Sequence, residues 1–179
     1  AVYENLKALP RAWFASRAVI APSAEVLRMI KTGRMPDGQP IEFSDTVLLE
    51  SELFSNRQIK TPLWNPVASG SSEAPKSDVK VVSYQPQRIE LQVNNSTAGF
   101  LVLSEIYFRG WEARVDGKRA SVDRVNFTLR GLELEPGNHN IEFVFRSPSL
   151  RTGVIYSVVG LLLLCIGGVV SYRVNTATG

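Results

Sequence analysis

The segment RIELQVN, Arg88–Asn94, alternates polar and apolar residues without interruption. Successive side chains of a β-strand point to opposite sides, so Ile89, Leu91 and Val93 would share one face. The pattern therefore predicts a strand with one face packed in a core and the other face in solvent.

The residues that follow continue in the same way. GFLVLSEIY, Gly99–Tyr107, is nearly all apolar, as expected of a central strand that is covered on both faces. A second alternation runs from Trp111 to Val115. Directly after it, Asp116-Gly117 predicts a tight hairpin turn, because this pair readily adopts positive φ angles.

Short apolar groups carry the pattern to the end of this region. Glu135-Pro136-Gly137-Asn138 has proline and glycine where a type II turn needs them. Seven short strands at intervals of about ten residues favour an antiparallel β-sandwich, which we place at residues 79–148. The apolar positions of its later strands are Ala120 and Val122, Phe127 and Leu129, Leu132 and Leu134, and Ile141, Phe143 and Phe145.

Residues 1–60 predict a smaller α+β portion before the sandwich. Short apolar runs around Trp13-Phe14 and at Ala18–Ile20 indicate strands, and Asp45–Glu50 indicates another. Residues 61–78 are dense in Pro, Ser, Gly and Ala, which is typical of a loop or linker.

A short amphipathic helix is predicted after Pro22. Ser23 can cap its first turn, and Gly33 can end it in the left-handed conformation. Val26, Leu27 and Ile30 would form its buried face.

The stretch TGVIYSVVGLLLLCIGGVVSY, Thr152–Tyr172, contains no charged residue and is long enough to cross about 30 Å of hydrocarbon as a helix. It predicts a single C-terminal transmembrane helix, followed by a short tail at 173–179. A buried core helix is the alternative. With a transmembrane helix at this position, the chain would be either tail-anchored or the C-terminal piece of a longer membrane protein.

Small residues recur along one stripe of this helix, at spacings that allow another helix to approach closely. We predict that they pack against other transmembrane helices of the same polypeptide. Glycine is also common in membrane helices in general, so the stripe has a second interpretation. The residues are Gly153, Ser157, Gly160, Gly167 and Ser171.

Composition argues against several classes of function. The net charge is +3, and basic and acidic residues are mixed throughout, so nucleic acid is not an expected partner. Cys165 is the sole cysteine and His139 the sole histidine, so no metal site, cofactor or nucleophilic triad is predicted. We expect His139 to be a solvent-exposed turn residue, and we predict no catalytic residue in this chain.

A candidate ligand-binding group surrounds the Arg109-Gly110 bend. Aromatic faces beside hydrogen-bonding groups suit sugars or lipid head groups. The alternative is that Trp111 belongs to the core. Carboxylate chemistry by Glu105, Glu112 and Asp116 is a further alternative, although alternation would place the last two on a solvated face. The candidate ligand-binding residues are Ser104, Glu105, Tyr107 and Trp111.

The run LVLSEIYFRGWEARVDGKRASVDRVNFTLRGLELEPGNHNIEFVFRSPS, Leu101–Ser149, followed at once by an apolar helix, resembles the C-terminal part of the bacterial YfhO family. VYENLKALPRAW near the start of the chain resembles that family as well. The resemblance implies a multi-spanning membrane protein similar to GT-C glycosyltransferases that use lipid-linked sugars. The catalytic acidic residue of that type lies in a loop near the N-terminal helices, and nothing in this chain corresponds to it.

The resemblance implies that this chain is an extracytoplasmic accessory domain and the last membrane helix of such an enzyme. Its partners would be the lipid bilayer, other helices of the same polypeptide, and a lipid-linked sugar or envelope glycan. The location would be the bacterial cell membrane, with the β-domain outside. The alternative is a non-enzymatic, membrane-anchored β-sandwich that binds carbohydrate or a protein partner.

Overall fold

The computed structural model describes residues 8–63 and 76–177 and, in the last helix, the side chains of residues 152–167. Its strands are β1 Ala12–Ala15, β2 Arg17–Ala21, β3 Thr46–Glu50, β4 Ser77–Gln85, β5 Arg88–Asn95, β6 Gly99–Ile106, β7 Trp111–Val115, β8 Lys118–Ala120, β9 Asp123–Val125, β10 Leu129–Leu134 and β11 Gly137–Phe145. Its helices are α1 Ser23–Thr32, α2 Ser51–Phe54 and α3 Pro148–Ala177.

Two antiparallel sheets form the main part of the fold. One has the order β1-β6-β10-β9 and the other the order β4-β5-β11-β7-β8. A single apolar cluster draws side chains from both sheets, including Leu101 of β6, Leu91 of β5 and Phe143 of β11. The predicted mainly β, antiparallel class is therefore confirmed, and the two sheets pack around one core.

The alternating segment at 88–94 behaves as its pattern predicts. Ile89, Leu91 and Val93 are each 2% exposed, and the residues between them face outward. Strand β6 lies between β1 and β10, and its residues from Gly99 to Leu103 are buried. Both observations follow from the local hydrophobic pattern.

A parallel pair of strands, β2 and β3, lies beside the sandwich, with α1 as the connection between them. Helix α1 packs Val26 and Met29 against Leu48 of β3. Its C-terminal residue is followed by Gly33 at φ 64°, the predicted left-handed stop. A β-α-β crossover of this kind is the usual way to join parallel strands.

Details of α1 differ from the prediction. Ser23 is the first helical residue and does not cap the helix; its hydroxyl instead donates to Glu50 at 2.7 Å. Met29 is fully buried, whereas Leu27 is only partly buried. The helix is therefore rotated toward β3, where Leu48 completes the small core.

The predicted return strand is present as β8, but it ends at Ala120 and does not include Val122, because the chain changes sheets there. Strand β8 pairs with β7, whereas β9 pairs with β10 in the other sheet. Phe127 is also not a strand residue, since Asn126 and Phe127 have φ angles of 46° and 69°.

The turn at Pro136-Gly137 differs as well. It joins β10 in one sheet to β11 in the other, and Gly137 has φ 149°, which a type II turn does not use. The Asp116-Gly117 prediction is confirmed, since both residues have positive φ, 51° and 79°, between the paired strands β7 and β8.

The residues up to Phe145 form one compact unit, and those from Arg146 form a second. Strand β1, from the predicted N-terminal portion, pairs with β6 inside the sandwich. Most of the predicted linker at 61–78 lies outside the described residues, which omit 64–75.

Helix α3 includes the whole uncharged stretch at 152–172. Among the described residues, no helix meets the length and hydropathy required to cross a membrane. The predicted transmembrane helix is thus seen as a helix but is not supported as a membrane span. Apolar side chains along it are exposed, for example Leu161 at 64% and Leu164 at 76%.

Candidate ligand-binding site

Glu105 lies near the end of β6 and gathers donors from three other parts of the chain. Its Oε1 accepts from the Arg11 Nη1 at 3.2 Å and from the Tyr84 hydroxyl. Its Oε2 accepts from the Arg130 Nη2. Since Tyr84 is on β4 and Arg130 on β10, this carboxylate ties the two sheets together at one end of the sandwich.

Arg130 is the unusual member of this group, because a guanidinium is buried where apolar residues are expected. It is 2% exposed, on the core side of β10 with Leu132 and Leu134. Among the described atoms, its Nε and Nη1 have no hydrogen-bond partner. Burial lowers the pKa of Arg130, and the negative charge of Glu105 opposes that shift.

The Trp111 ring covers this buried cation. The Arg130 Cζ lies 3.9 Å from the centroid of the Trp111 ring, in cation–π geometry. On another side Trp111 approaches the Phe145 ring, with centroids 5.5 Å apart, and Phe145 in turn approaches Phe108 at 6.0 Å. Trp111 is partly buried against the main core, so it is both a core residue and part of the candidate site.

Tyr84 forms the accessible polar edge of the group. The residue is 47% exposed, and the Arg11 Cζ lies 4.6 Å from its ring centroid. The hydrogen bond to Glu105 raises the pKa of Tyr84, because the neighbouring carboxylate favours the neutral phenol. The cluster therefore offers phenol, guanidinium and carboxylate groups beside aromatic faces.

The four predicted ligand residues do not form a single group in the structure. Glu105 and Trp111 come together through Arg130. Ser104 is exposed and, by strand alternation, lies on the face opposite to Glu105. Tyr107 is partly buried, and its backbone N–H donates to the Thr128 carbonyl at 2.7 Å.

Three members of the cluster were missed by sequence reasoning: Arg11, Tyr84 and Arg130. A signal existed for Arg130, because it shares the inward alternation of Leu132 and Leu134 in β10. Arg11 and Tyr84 carried no comparable signal, since each is an ordinary polar residue at the end of a strand.

The carboxylates Glu105 and Asp116 are at opposite ends of the sandwich. Asp116 lies in the β7–β8 turn, where its Oδ2 is 2.8 Å from His139 Nδ1 and its Oδ1 accepts from the Asn140 N–H at 2.8 Å. These hydrogen bonds lower the pKa of Asp116, and the one with His139 has the largest effect. The expectation that His139 is an exposed turn residue is wrong, because it lies in β11 with a side chain that is 14% exposed.

A partly buried acid outside the predicted site is Asp123 in β9. Its carboxylate pairs with Arg57 at 2.6 Å, and the second Arg57 amine contacts Glu133 at 3.1 Å. Burial raises the pKa of Asp123, with Arg57 acting in the other direction. Glu133 also accepts from the backbone N–H groups of Lys60 and Thr61, so this group holds the segment before residue 64 against the sandwich.

The outward face of the five-stranded sheet is polar. Two shallow depressions of about 310 and 320 Å³ lie on it and share Gln92 of β5 and Asn140 of β11. Charged pairs such as Arg88 with Glu142, at 3.0 Å, line the first depression. Within the described residues, no group of three His, Cys, Asp or Glu side chains could hold a metal ion.

The fold and site define a two-layer β-sandwich with a charged and aromatic cluster at one end, followed in the chain by an apolar helix. Residues 65–157 match the model of the family described as "Bacterial membrane protein YfhO". The chain belongs to this family, which supports a location at a bacterial membrane.

A relative in Bacillus subtilis (strain 168), "Uncharacterized protein YfhO", is 24% identical over 82 residues. That match covers 46% of this chain and 10% of the relative. The matched part is therefore a small share of a much longer protein. No solved structure matches the chain.

Proposed function

We propose that this chain is an extracytoplasmic accessory region of a YfhO-like membrane glycosyltransferase. Its role would be to position a cell-envelope glycan acceptor or a lipid-linked sugar donor, while catalysis takes place elsewhere in the polypeptide. Membership of the YfhO family supports the membrane setting. The resemblance to GT-C enzymes supports the reaction class.

The cluster around Glu105 is the observation that carries the proposal. A lipid-linked sugar is amphipathic: hydroxyl groups seek hydrogen bonds, a phosphate seeks cations, and a lipid chain seeks apolar surface. Arg11, with a side chain that is 59% exposed, offers a cation, and the half-exposed Tyr84 offers a phenol. Trp111 and Phe108 supply aromatic surface beside them.

We further propose that the uncharged stretch at 152–172 anchors the chain in the membrane as part of α3. Its composition supports this, since insertion of each Val, Ile or Leu is favoured by about 0.3–0.6 kcal/mol and no charge opposes it. A Cβ atom added at Gly153, Gly160 or Gly167 would meet no described atom within 4 Å, which is compatible with neighbouring helices.

Substitution at Trp111 and Tyr84 in the full-length protein tests the positioning role. Trp111→Phe keeps an aromatic ring over Arg130, and Tyr84→Phe removes only a hydroxyl group. We expect both variants, when folded, to transfer sugar from a lipid-linked donor to the envelope polymer several-fold more slowly than wild type.

Trp13→Phe provides the matched control, because Trp13 is 7% exposed and packs in a different cluster. It should leave transfer unchanged. Normal transfer by a folded Tyr84→Phe and Trp111→Phe protein would refute the positioning role.

A second candidate is a non-enzymatic, membrane-anchored sandwich that binds carbohydrate. The polar depressions around Gln92 and Asn140 favour it, since amide side chains hydrogen bond well to hydroxyl groups. Determining the intact mass and the coding sequence upstream of Ala1 separates the two. Several hundred residues of hydrophobic spans would support the glycosyltransferase, and a signal peptide directly upstream would support the binding protein.

A further inference from the structure

The end of β6 and the loop that follows it each present one large apolar side chain to solvent. Ile106 is 75% exposed and Phe108 is 61% exposed. They are the two most exposed large hydrophobic residues among those described before Arg146. We call the segment Ile106–Arg109 the rim.

The exposure of the rim is not the result of a loose loop. The Tyr107 N–H donates to the Thr128 carbonyl at 2.7 Å, and the Trp111 N–H donates to the Phe108 carbonyl at 3.2 Å. The Phe108 ring also packs near Phe145. A loop held at both ends presents its apolar side chains at little cost in conformational entropy, as a preorganised binding surface does.

Two exposed arginines lie on or near the rim. Arg109 is exposed on the rim itself, and Arg11 is mostly exposed at the same end of the sandwich. The nearby Glu105 pairs with both Arg11 and the buried Arg130, so Arg109 is the cation that we assign to the lipid. Aromatic and arginine side chains together are typical of the membrane–water interface, where rings lie at head-group level and guanidinium groups contact anionic lipids.

In the sequence, the helix that contains the apolar segment follows β11 after only two residues. Phe145, whose ring approaches Phe108, is the last residue of β11, and α3 begins three residues later at Pro148. The family is one of membrane proteins. We propose that the rim inserts Ile106 and Phe108 into the head-group region of an anionic bilayer, with Arg109 on the lipid phosphates. This rests on the membrane anchor of the proposed function but not on glycosyl transfer.

Spin labelling of the whole chain in lipid nanodiscs tests the rim. Cys165 is the sole cysteine, so a Cys165→Ala chain accepts a single label at Phe108→Cys. The matched control is Lys118→Cys, an exposed position after the turn at the other end of β7. The readout is the accessibility of each nitroxide to oxygen, which enters lipid, and to a nickel chelate, which stays in water.

We expect a several-fold higher ratio of oxygen to nickel accessibility at position 108 than at position 118. The ratio at 108 should rise further when the nanodisc lipids include phosphatidylglycerol, and Arg109→Glu should abolish that rise. Equal ratios at 108 and 118 would overturn the proposal. A label at 108 shielded from both reagents would also overturn it, since a second copy or another protein segment would then cover the rim.

Two readouts separate this proposal from the proposed function. Co-elution of the chain with nanodiscs tests the anchor; a chain that does not incorporate refutes both. Incorporation with a water-exposed label at 108 refutes the rim alone. In the Cys165→Ala chain, Phe108→Ser should, if the variant is folded, lower the oxygen-to-nickel ratio at a label on Ile106→Cys, and this readout does not involve sugar transfer.

Discussion

At the level of single residues, the Glu105 carboxylate has the largest consequences. It is the hydrogen-bonded counter-charge of Arg130, whose guanidinium is almost fully inaccessible. A buried ion pair adds little net stability, but removal of one partner leaves the other charge buried and unpaired. The proposed binding cluster and the stability of the fold therefore involve the same side chain.

Glu105→Gln should lower the free energy of unfolding by about 3 kcal/mol, because it leaves Arg130 charged and buried without compensation. Urea denaturation at neutral pH measures this. Glu25→Gln is the matched control: it breaks an exposed pair with Arg28, where solvent screens the charges, so no change is expected. An unchanged midpoint for Glu105→Gln would show that Arg130 finds another partner.

The hydrogen bond between Tyr84 and Glu105 should be visible in the pH dependence of stability. The pKa of Tyr84 is raised in the folded chain, chiefly by this bond. A raised pKa means that its contribution is fully present below the unfolded value, about 10, and is lost as the pH rises through the folded value.

Wild type should therefore lose stability more steeply than Tyr84→Phe as the pH rises above about 10. Near-ultraviolet absorbance should also show that Tyr84 ionises above its ordinary pKa. The chain has five tyrosines, so the difference from Tyr84→Phe makes the assignment. Ionisation of Tyr84 at its ordinary pKa would contradict the bond.

At the level of elements, β6 is the strand on which the sandwich depends. It is flanked by β1 and β10, and Gly99 at its start lies against β1. A Cβ atom at Gly99 would overlap the Phe14 ring and lie 2.6 Å from the Ala15 carbonyl oxygen. The close approach of the two strands therefore requires glycine.

Gly99→Ala should lower the free energy of unfolding by about 1–3 kcal/mol, since the Phe14 ring and the β1 backbone would have to move. Ser104→Ala, at an exposed position of the same strand, should have little effect. Thermal or chemical denaturation of both variants provides the comparison. Equal midpoints would mean that β1 can shift without loss of packing.

At the level of the whole molecule, helix α3 raises the question of what surrounds it. A Cβ atom at Gly160 would have no other described segment of this chain within 4 Å. Gly160→Leu should lower the melting temperature of the intact gene product in detergent if other helices pack on the small-residue stripe.

Val159→Leu is the control for that experiment, because the neighbouring position lies off the stripe. It adds bulk without filling the predicted helix contact. If the two variants have the same melting temperature, the stripe is not a packing surface. Ser171, the last residue of the stripe, has a side chain outside those described.

The sequence by itself determined the features that depend on neighbours in the chain. Alternation over Arg88–Asn94 and the apolar run of β6 predicted their strands, because the period of a strand is local. Asp116-Gly117 and Gly33 marked a turn and a helix end for the same reason, since each depends on local φ angles. The family resemblance also followed from the sequence and was confirmed.

Only the tertiary structure decided which strands share a sheet and which side chains meet. The split between β8 and β9 and the cluster around Glu105 depend on contacts between distant segments, with Arg11 and Glu105 94 residues apart. Burial of Arg130 beneath Trp111 likewise required both sheets to be in place. Local patterns report the periodicity of one strand. Charge pairing across a core depends instead on which strands pack together, and the order of strands along the chain does not specify that.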